Sequence, residues 1–344
     1  IAISFRNPSS VTGKRFIEVS PSRLQSIRLF MPENGGWSVT ASGTSIPVQE
    51  RLIRSRLPAF PVELAPGEVR KIYMQVISKN AILLTVRMWQ PEDFTAHQRS
   101  LDFFNGIQFG AIFLFALYSL LLFFGLRDPV FLLFFILMVS GGFCDVAIQQ
   151  YGFEFLWPGQ EEWNVRSPGV FLALALASAA WLITRFLQIK KYFPILNVAM
   201  QSLAIITMIM VPLQLIFAYD RMVPTVVALM FVTIFLSLLA TVLAIIKKQR
   251  NAKWMLLGFV LLWLASVVRA AHMFGLIPSG LWVDYAQSWT MVLSGSVLAI
   301  VMIDRVRQLR LERARVRNAL LETQGQYAIQ LERDINTRTS ELRE

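Results

Sequence analysis

From Phe103 to Ile303 the chain repeats one pattern, a long run of apolar residues followed by a short polar connection. Seven such runs stand out: Phe103 to Gly125, Val130 to Ala147, Gly169 to Phe186, Ile195 to Tyr219, Val223 to Ile246, Trp254 to Phe274 and Tyr285 to Ile303. A hydrocarbon core about 30 Å thick is crossed by roughly 20 apolar residues of helix, so each run predicts a membrane span. The seventh is the most dilute, holding Gln287, Ser288, Thr290, Ser294 and Ser296, yet it has no charge between Asp284 and Asp304. Composition fits a membrane core with polar ends: 55% hydrophobic, 16% charged and a mean hydropathy of +0.52.

The residues before Phe103 follow a shorter period. Arg15 to Ser20, Leu24 to Met31, Trp37 to Thr40, Phe60 to Leu64, Val69 to Ile77 and Ala81 to Trp89 alternate as strands do, separated by turn sequences such as Pro32 to Gly36, Ala41 to Gly43 and Ala65 to Glu68. In the last run Ile82, Leu84, Val86 and Met88 share one face, and Thr85 and Arg87 the other. These strands predict an antiparallel β-sandwich. Ile1 to Phe5 already reads as a strand with no initiator Met before it, so a signal peptide and part of the sandwich are expected upstream. The single cysteine, Cys144, lies in the second span and leaves the sandwich to be held by packing rather than by disulfides.

Charge gives direction. The connections after spans one, three and five hold eight Lys and Arg (Arg127, Arg185, Lys190, Lys191, Lys247, Lys248, Arg250 and Lys253), against Arg166 and Arg221 in the others. The first set is therefore predicted cytoplasmic, with the sandwich outside and the C-terminal helix inside. Arg305, Arg307, Arg310, Arg313, Arg315 and Arg317 add a basic collar there. Such flanking bases account for much of the +11 net charge, which is no sign of nucleic-acid binding. From Leu309 within the collar onward, Leu309, Val316, Leu320, Tyr327, Leu331, Ile335 and Leu342 are spaced 7, 4, 7, 4, 4 and 7 apart. Steps of seven and four follow one helical seam and predict a parallel dimeric coiled coil, with a stutter near Leu331 that locally unwinds it. The competing reading is an amphipathic helix lying on the inner leaflet.

Candidate chemistry is sparse. Asp145, Arg269, His272 and Asp284 all fall at the outer ends of spans two, six and seven, where they form either one polar cluster or separate side chains reaching the headgroups. Gly106 with Gly110, and Ala173 with Ala177, have the spacing of close helix packing, read here as packing within one bundle in preference to a dimer seam. Trp37, Phe60 and Trp89 are candidate stacking platforms for a sugar, though aromatic residues in strands more often belong to a core. Two histidines, one cysteine and no glycine-rich phosphate loop leave no metal site, no cofactor site and no catalytic motif.

Three segments resemble a known family. Gly106 to Phe135 resembles the first span and following loop of bacterial seven-transmembrane receptors with diverse intracellular signalling modules (7TMR-DISM), with Gly106, Gly110, Tyr118, Arg127 and Asp128 in place. Phe60 to Val76 and Met88 to Phe94 are similar to that family's type 2 extracellular jelly roll, and Asp304 to Glu312 to its helical exit. Members often carry an acidic residue in span seven where this chain has Ser294. The resemblance implies a bacterial inner-membrane receptor, an outer domain related to carbohydrate-binding modules, and an output that is a histidine kinase or, alternatively, a GGDEF diguanylate cyclase. The expected organisation is a jelly-roll-like β-sandwich over 1–97, a seven-helix bundle over 98–303 and a cytoplasmic coiled coil over 304–344, after which the output domain is missing. Expected partners are an extracellular small molecule or carbohydrate, membrane lipid and a second copy of the chain. A transporter or channel-like protein is the alternative, for which Gly141, Gly142 and Pro212 are the only hints of broken helices.

Overall fold

The computed structural model describes residues 1–7, 12–33, 36–78, 84–249, 252–273, 276–277 and 281–341; among them, side chains are described except at 33, 220, 263, 269–270, 272–273, 281–285, 287, 332–334 and 336–341. Seven strands open the chain: β1 (Ala2–Arg6), β2 (Gly13–Ser20), β3 (Ser26–Glu33), β4 (Gly36–Ser42), β5 (Ala59–Leu64), β6 (Val69–Ile77) and β7 (Thr85–Trp89). They form two antiparallel sheets, one ordered β1-β6-β3-β4 and the other β5-β2-β7. Alternate residues of both sheets meet in one core: Ile17, Val19, Phe60 and Val62 from the small sheet, Ile27, Leu29, Ile72 and Met74 from the large one. Each such side chain, buried fully, contributes about 1.5–3 kcal/mol. Leu84, Val86 and Met88 pack against this core, as their alternation predicts, while Ile82 lies outside the described residues.

One residue, Gln90, separates β7 from helix α1 (Pro91–Leu126). Pro91 opens the helix at its first position, where the missing N–H costs nothing. The helix therefore begins three turns before the apolar run, and its 36 residues reach about 54 Å, well beyond a hydrocarbon core. There follow α2 (Pro129–Ile148), a π-helical turn at Gly152–Leu156, α3 (Glu161–Phe186), the short α4 (Ile189–Tyr192), α5 (Pro194–Ile216), α6 (Tyr219–Ile246), α7 (Ala252–Met273) and α8 (Leu281–Glu341). Among the described residues six helices are long and apolar enough to cross a membrane, namely α1, α2, α3, α5, α6 and α8, and α7 carries a shorter apolar stretch, Ala252–Val268.

Helix α3 is the hub and packs on α2, α5 and α6, while α8 closes the bundle against α7, α1 and α2. Small buried residues make this possible: Ala173, Ala177 and Ala180 are fully enclosed, so neighbouring backbones approach closely. Gly142 brings α2 onto α1, where a Cβ would stand 3.0 Å from Ile112 Cγ2. Ser294 donates to the carbonyl of Gly258 at 3.0 Å and ties α8 to α7. Gly106 and Gly110 correct the expectation made for them. Among the described residues nothing lies within 4 Å of a Cβ at either, so their spacing marks an outer face of α1 rather than a described contact inside the bundle. Large exposed apolar residues such as Phe113, Leu114, Ile195 and Phe235 ring the outside, as a lipid solvent requires.

Candidate functional site

The densest polar structure lies where the β-domain meets the bundle, in three contacts. The first is the outer face of the small sheet. Because Ile17 and Val19 face the core, Phe16 and Glu18 face the start of α1, and β2 is buried on both sides. Phe16 meets Phe94 edge-on at 5.3 Å, and Trp89 stacks on His97 at 4.6 Å. Strand register sets Glu18 opposite Arg87, their charged atoms 4.0 Å apart. Burial pushes the Glu18 carboxyl above its usual range despite Arg87, Trp89 and Gln98 beside it. Burial, aided by Arg87, also holds His97 below its ordinary value.

The second contact is the loop between β4 and β5. Arg51 is buried and organises it, donating to the carbonyls of Ile46 (3.1 Å), Ser55 (2.7 Å), Arg56 (3.2 Å) and Gly43 (2.7 Å). Burial lowers its pKa to about 10, against the opposing pull of Glu154. Gly43 sits at φ +124°, where a Cβ would collide with the Gln25 carbonyl at 2.6 Å. This loop aims Arg56 at the bundle. Its guanidinium pairs with Asp102 of α1, lies 3.5 Å from Glu154 and stacks 3.6 Å over the Tyr151 ring. Tyr151 donates its hydroxyl to Asp102 at 2.9 Å and accepts from Asn105 at 3.0 Å. Burial pushes Tyr151 up to about 12 and raises Glu154 as well, so Tyr151 stays a neutral donor across the working range. One turn further along α1, Gln108 donates to Asp145 of α2 at 2.8 Å. Charged and polar groups thus run from a β-domain loop into the span.

The third contact is the turn from β2 to β3. Ser22 donates to the Ile148 carbonyl at the end of α2 (3.2 Å), and Gln25 to Glu161 at the start of α3 (3.1 Å). Arg23 donates to the Val165 carbonyl (3.0 Å) and to the Tyr219 hydroxyl at the start of α6 (3.2 Å). The β-domain therefore grips the ends of α1, α2, α3 and α6 together.

Of the predicted polar cluster, Asp145 is buried and its described partner is Gln108; the side chains of Arg269, His272 and Asp284 lie outside those described. The three aromatic candidates separate. Trp37 is 57% exposed on the large sheet, edge-on to Tyr73 at 5.5 Å, whereas Phe60 is wholly buried between the sheets and Trp89 is covered by His97. Phe60 presents no ring to a ligand, because its alternation places it inward with Val62. On α8, Leu309 packs against the bundle, while Val316, Leu320, Tyr327, Leu331 and Ile335 are all more than half exposed, and Leu342 lies outside the described residues. Arg56, Asp102, Asn105, Tyr151 and Glu154 were not foreseen. The signal for α1 was present, since Gln98, Asp102, Asn105 and Gln108 repeat at helical spacing on one face. Among the described residues no group of His, Cys, Asp and Glu could hold a metal.

An antiparallel β-domain clamped to one end of an apolar helical bundle, with the last helix projecting from the other, defines a multi-pass membrane protein. Comparison with protein families matches residues 101–305 to 7TM diverse intracellular signalling and residues 1–90 to 7TMR-DISM extracellular 2. The first match spans more than half of the chain, which therefore belongs to the 7TMR-DISM family of membrane receptors with a signalling role. No curated protein and no solved structure matches the chain.

Proposed function

We propose that the chain is the sensing and transmitting part of a bacterial inner-membrane receptor. Its β-domain, read as a jelly roll, lies outside and takes up a small molecule or carbohydrate. The Trp37 and Tyr73 surface is the stacking face offered to it. The bundle crosses seven times, α7 included, and α8 enters the cytoplasm to pair with α8 of a second copy. The output is a histidine kinase, with a GGDEF diguanylate cyclase as the second candidate. The domains themselves do no chemistry.

The continuity of α8 carries this reading. One helix runs from Leu281 to Glu341, packs into the bundle as far as Leu309, and then bares an apolar seam that a second helix would cover. Disulfide trapping in membranes tests it, with Cys144→Ser as background and single cysteines along α8. Cysteines at Val316, Leu320, Tyr327 and Leu331 should cross-link between copies several-fold faster than cysteines at Asn318 and Glu322. Equal rates around the helix would refute the coiled coil, and solute flux through proteoliposomes would refute the receptor.

A further inference from the structure

At the end of the bundle away from the β-domain lies a cleft of about 870 Å³. Its lining includes Arg185, Lys190, Lys191 and Arg305, against one carboxylate, Asp128. Asp128 is already committed. It caps α2 by accepting from the Val130 amide at 3.0 Å, and its Oδ2 accepts two bonds from Arg305, at 3.0 and 3.2 Å. Arg185, Lys190 and Lys191 have no carboxylate within ion-pair distance among the described residues. Their backbone is held firmly. Leu187 and Ile189 are plugged into the bundle core, and Gln188 between them takes a left-handed φ of 46°, which a non-glycine residue adopts only at a cost of order 1–3 kcal/mol. That bend, closed by the Lys191 amide on the Gln188 carbonyl at 2.9 Å, sets the two lysines beside the cleft. The polar wall is equally ordered: Trp181 donates to Gln201 at 2.9 Å, and Gln201 to the buried Thr184 hydroxyl at 3.2 Å.

We propose that this cleft binds a phosphate-bearing anion, with Arg185, Lys190 and Lys191 as its ligands and Arg305 as the wall on α8. A left-handed bend also occurs at Lys248 in the connection after α6, so it is the shared cavity that sets these bases apart from others beside the membrane. Three cations without a carboxylate partner among the described residues, Lys191 resting 5.5 Å from the Tyr192 ring centroid, have the spacing freedom and donor number for a phosphate, which accepts several charge-assisted bonds at once. A phospholipid headgroup and a soluble phosphate present the same chemistry. The claim stands apart from the receptor reading, since it concerns binding alone.

The test compares the whole chain with two double variants of equal charge. Lys190→Ala with Lys191→Ala empties the cleft of two ligands; Lys247→Ala with Lys248→Ala removes two bases from a different connection. Both pairs lie in exposed segments, and Lys190→Arg with Lys191→Arg restores charge in place as a check on folding. One arm titrates inorganic pyrophosphate into protein in a phospholipid-free detergent. The other measures phosphatidylglycerol retained, by native mass spectrometry, after nanodiscs of phosphatidylcholine with phosphatidylglycerol are stripped. The cleft variant should bind about tenfold or more weakly than the Lys247 and Lys248 variant in at least one arm, because each lost charge-assisted bond is worth that much. The double arginine variant should recover it. Loss in the first arm names a soluble phosphate as the source, and loss confined to the second names the headgroup. Equal weakening in both variants, or binding in neither arm, would overturn the proposal, since the bases would then act only as a diffuse surface charge.

Discussion

Glu18 shows what the junction costs in single residues. It is 1% exposed beneath α1, and desolvation outweighs Arg87, so its folded pKa lies above 4.5. The folded state then binds the proton more tightly than the unfolded chain, and stability is lost as pH rises from 4.5 through the folded value. Glu18→Gln should therefore raise the unfolding temperature at neutral pH, with the gain shrinking to nothing as pH falls through the folded pKa; a gain independent of pH would disprove the account. His97 works oppositely, because its folded value lies below 6.5: the neutral ring's stability is present above 6.5 and fades as pH drops below it. Arg56 is the other decisive residue. Its side chain is 9% exposed while Asp102 is 54% exposed, between the limits of buried and surface pairs. Arg56→Ala should cost roughly 1–3 kcal/mol, and a double-mutant cycle with Asp102→Ala should show clear coupling in urea unfolding. Additive losses would mean that the pair does not join the two domains.

At the scale of elements, much was legible in the sequence. The alternation of Val69 to Ile77 matches β6 at both ends, and the apolar run at Val130 to Ala147 matches α2 within a residue or two, because period and length are local properties. The start of α1 was not. The apolar run begins at Phe103, but the helix begins at Pro91, since its first turns pack Phe94 and His97 against Phe16 and Trp89 of the β-domain. For the same reason the candidate site was read only in part. Asp145 stood out as a charge in an apolar stretch, whereas Arg51 and Arg56 lie in a loop whose geometry depends on Gly43, Gln25 and Glu154, distant in sequence. The exposed seam of α8 gives an element-scale prediction. One residue inserted after Leu331 should rotate everything beyond it by about 100° and abolish output from the full-length protein, while a seven-residue insertion should restore the seam and most of the output. Equal activity of the two would show that α8 is only a tether.

For the whole molecule, the proposed pairing of two copies could use either of two surfaces. α8 offers one surface and the outer face of α1, with Gly106 and Gly110 bare, offers a second. A Cβ at Gly106 meets nothing within 4 Å among the described residues, so with Gly106→Leu the monomer should keep its unfolding temperature. If α1 also pairs in the membrane, Gly106→Leu should weaken dimer formation several-fold in single-molecule subunit counting in liposomes. A dimer unaffected by Gly106→Leu but lost on cutting α8 would confine association to the helix outside the bundle.

The single residue between β7 and α1 limits how the molecule can move. Gln90 is too short a joint to absorb a rotation, and Phe16, Trp89 and His97 lock the strand to the first turns of the helix. The small sheet and α1 thus behave as one crank. A tilt imposed on the small sheet would swing the far end of a 36-residue shaft, at Leu126, where the carbonyl holds Arg313 of α8 at 2.6 Å. Distance from the pivot amplifies that swing, so a small tilt at the sheet becomes a larger displacement where the two helices touch.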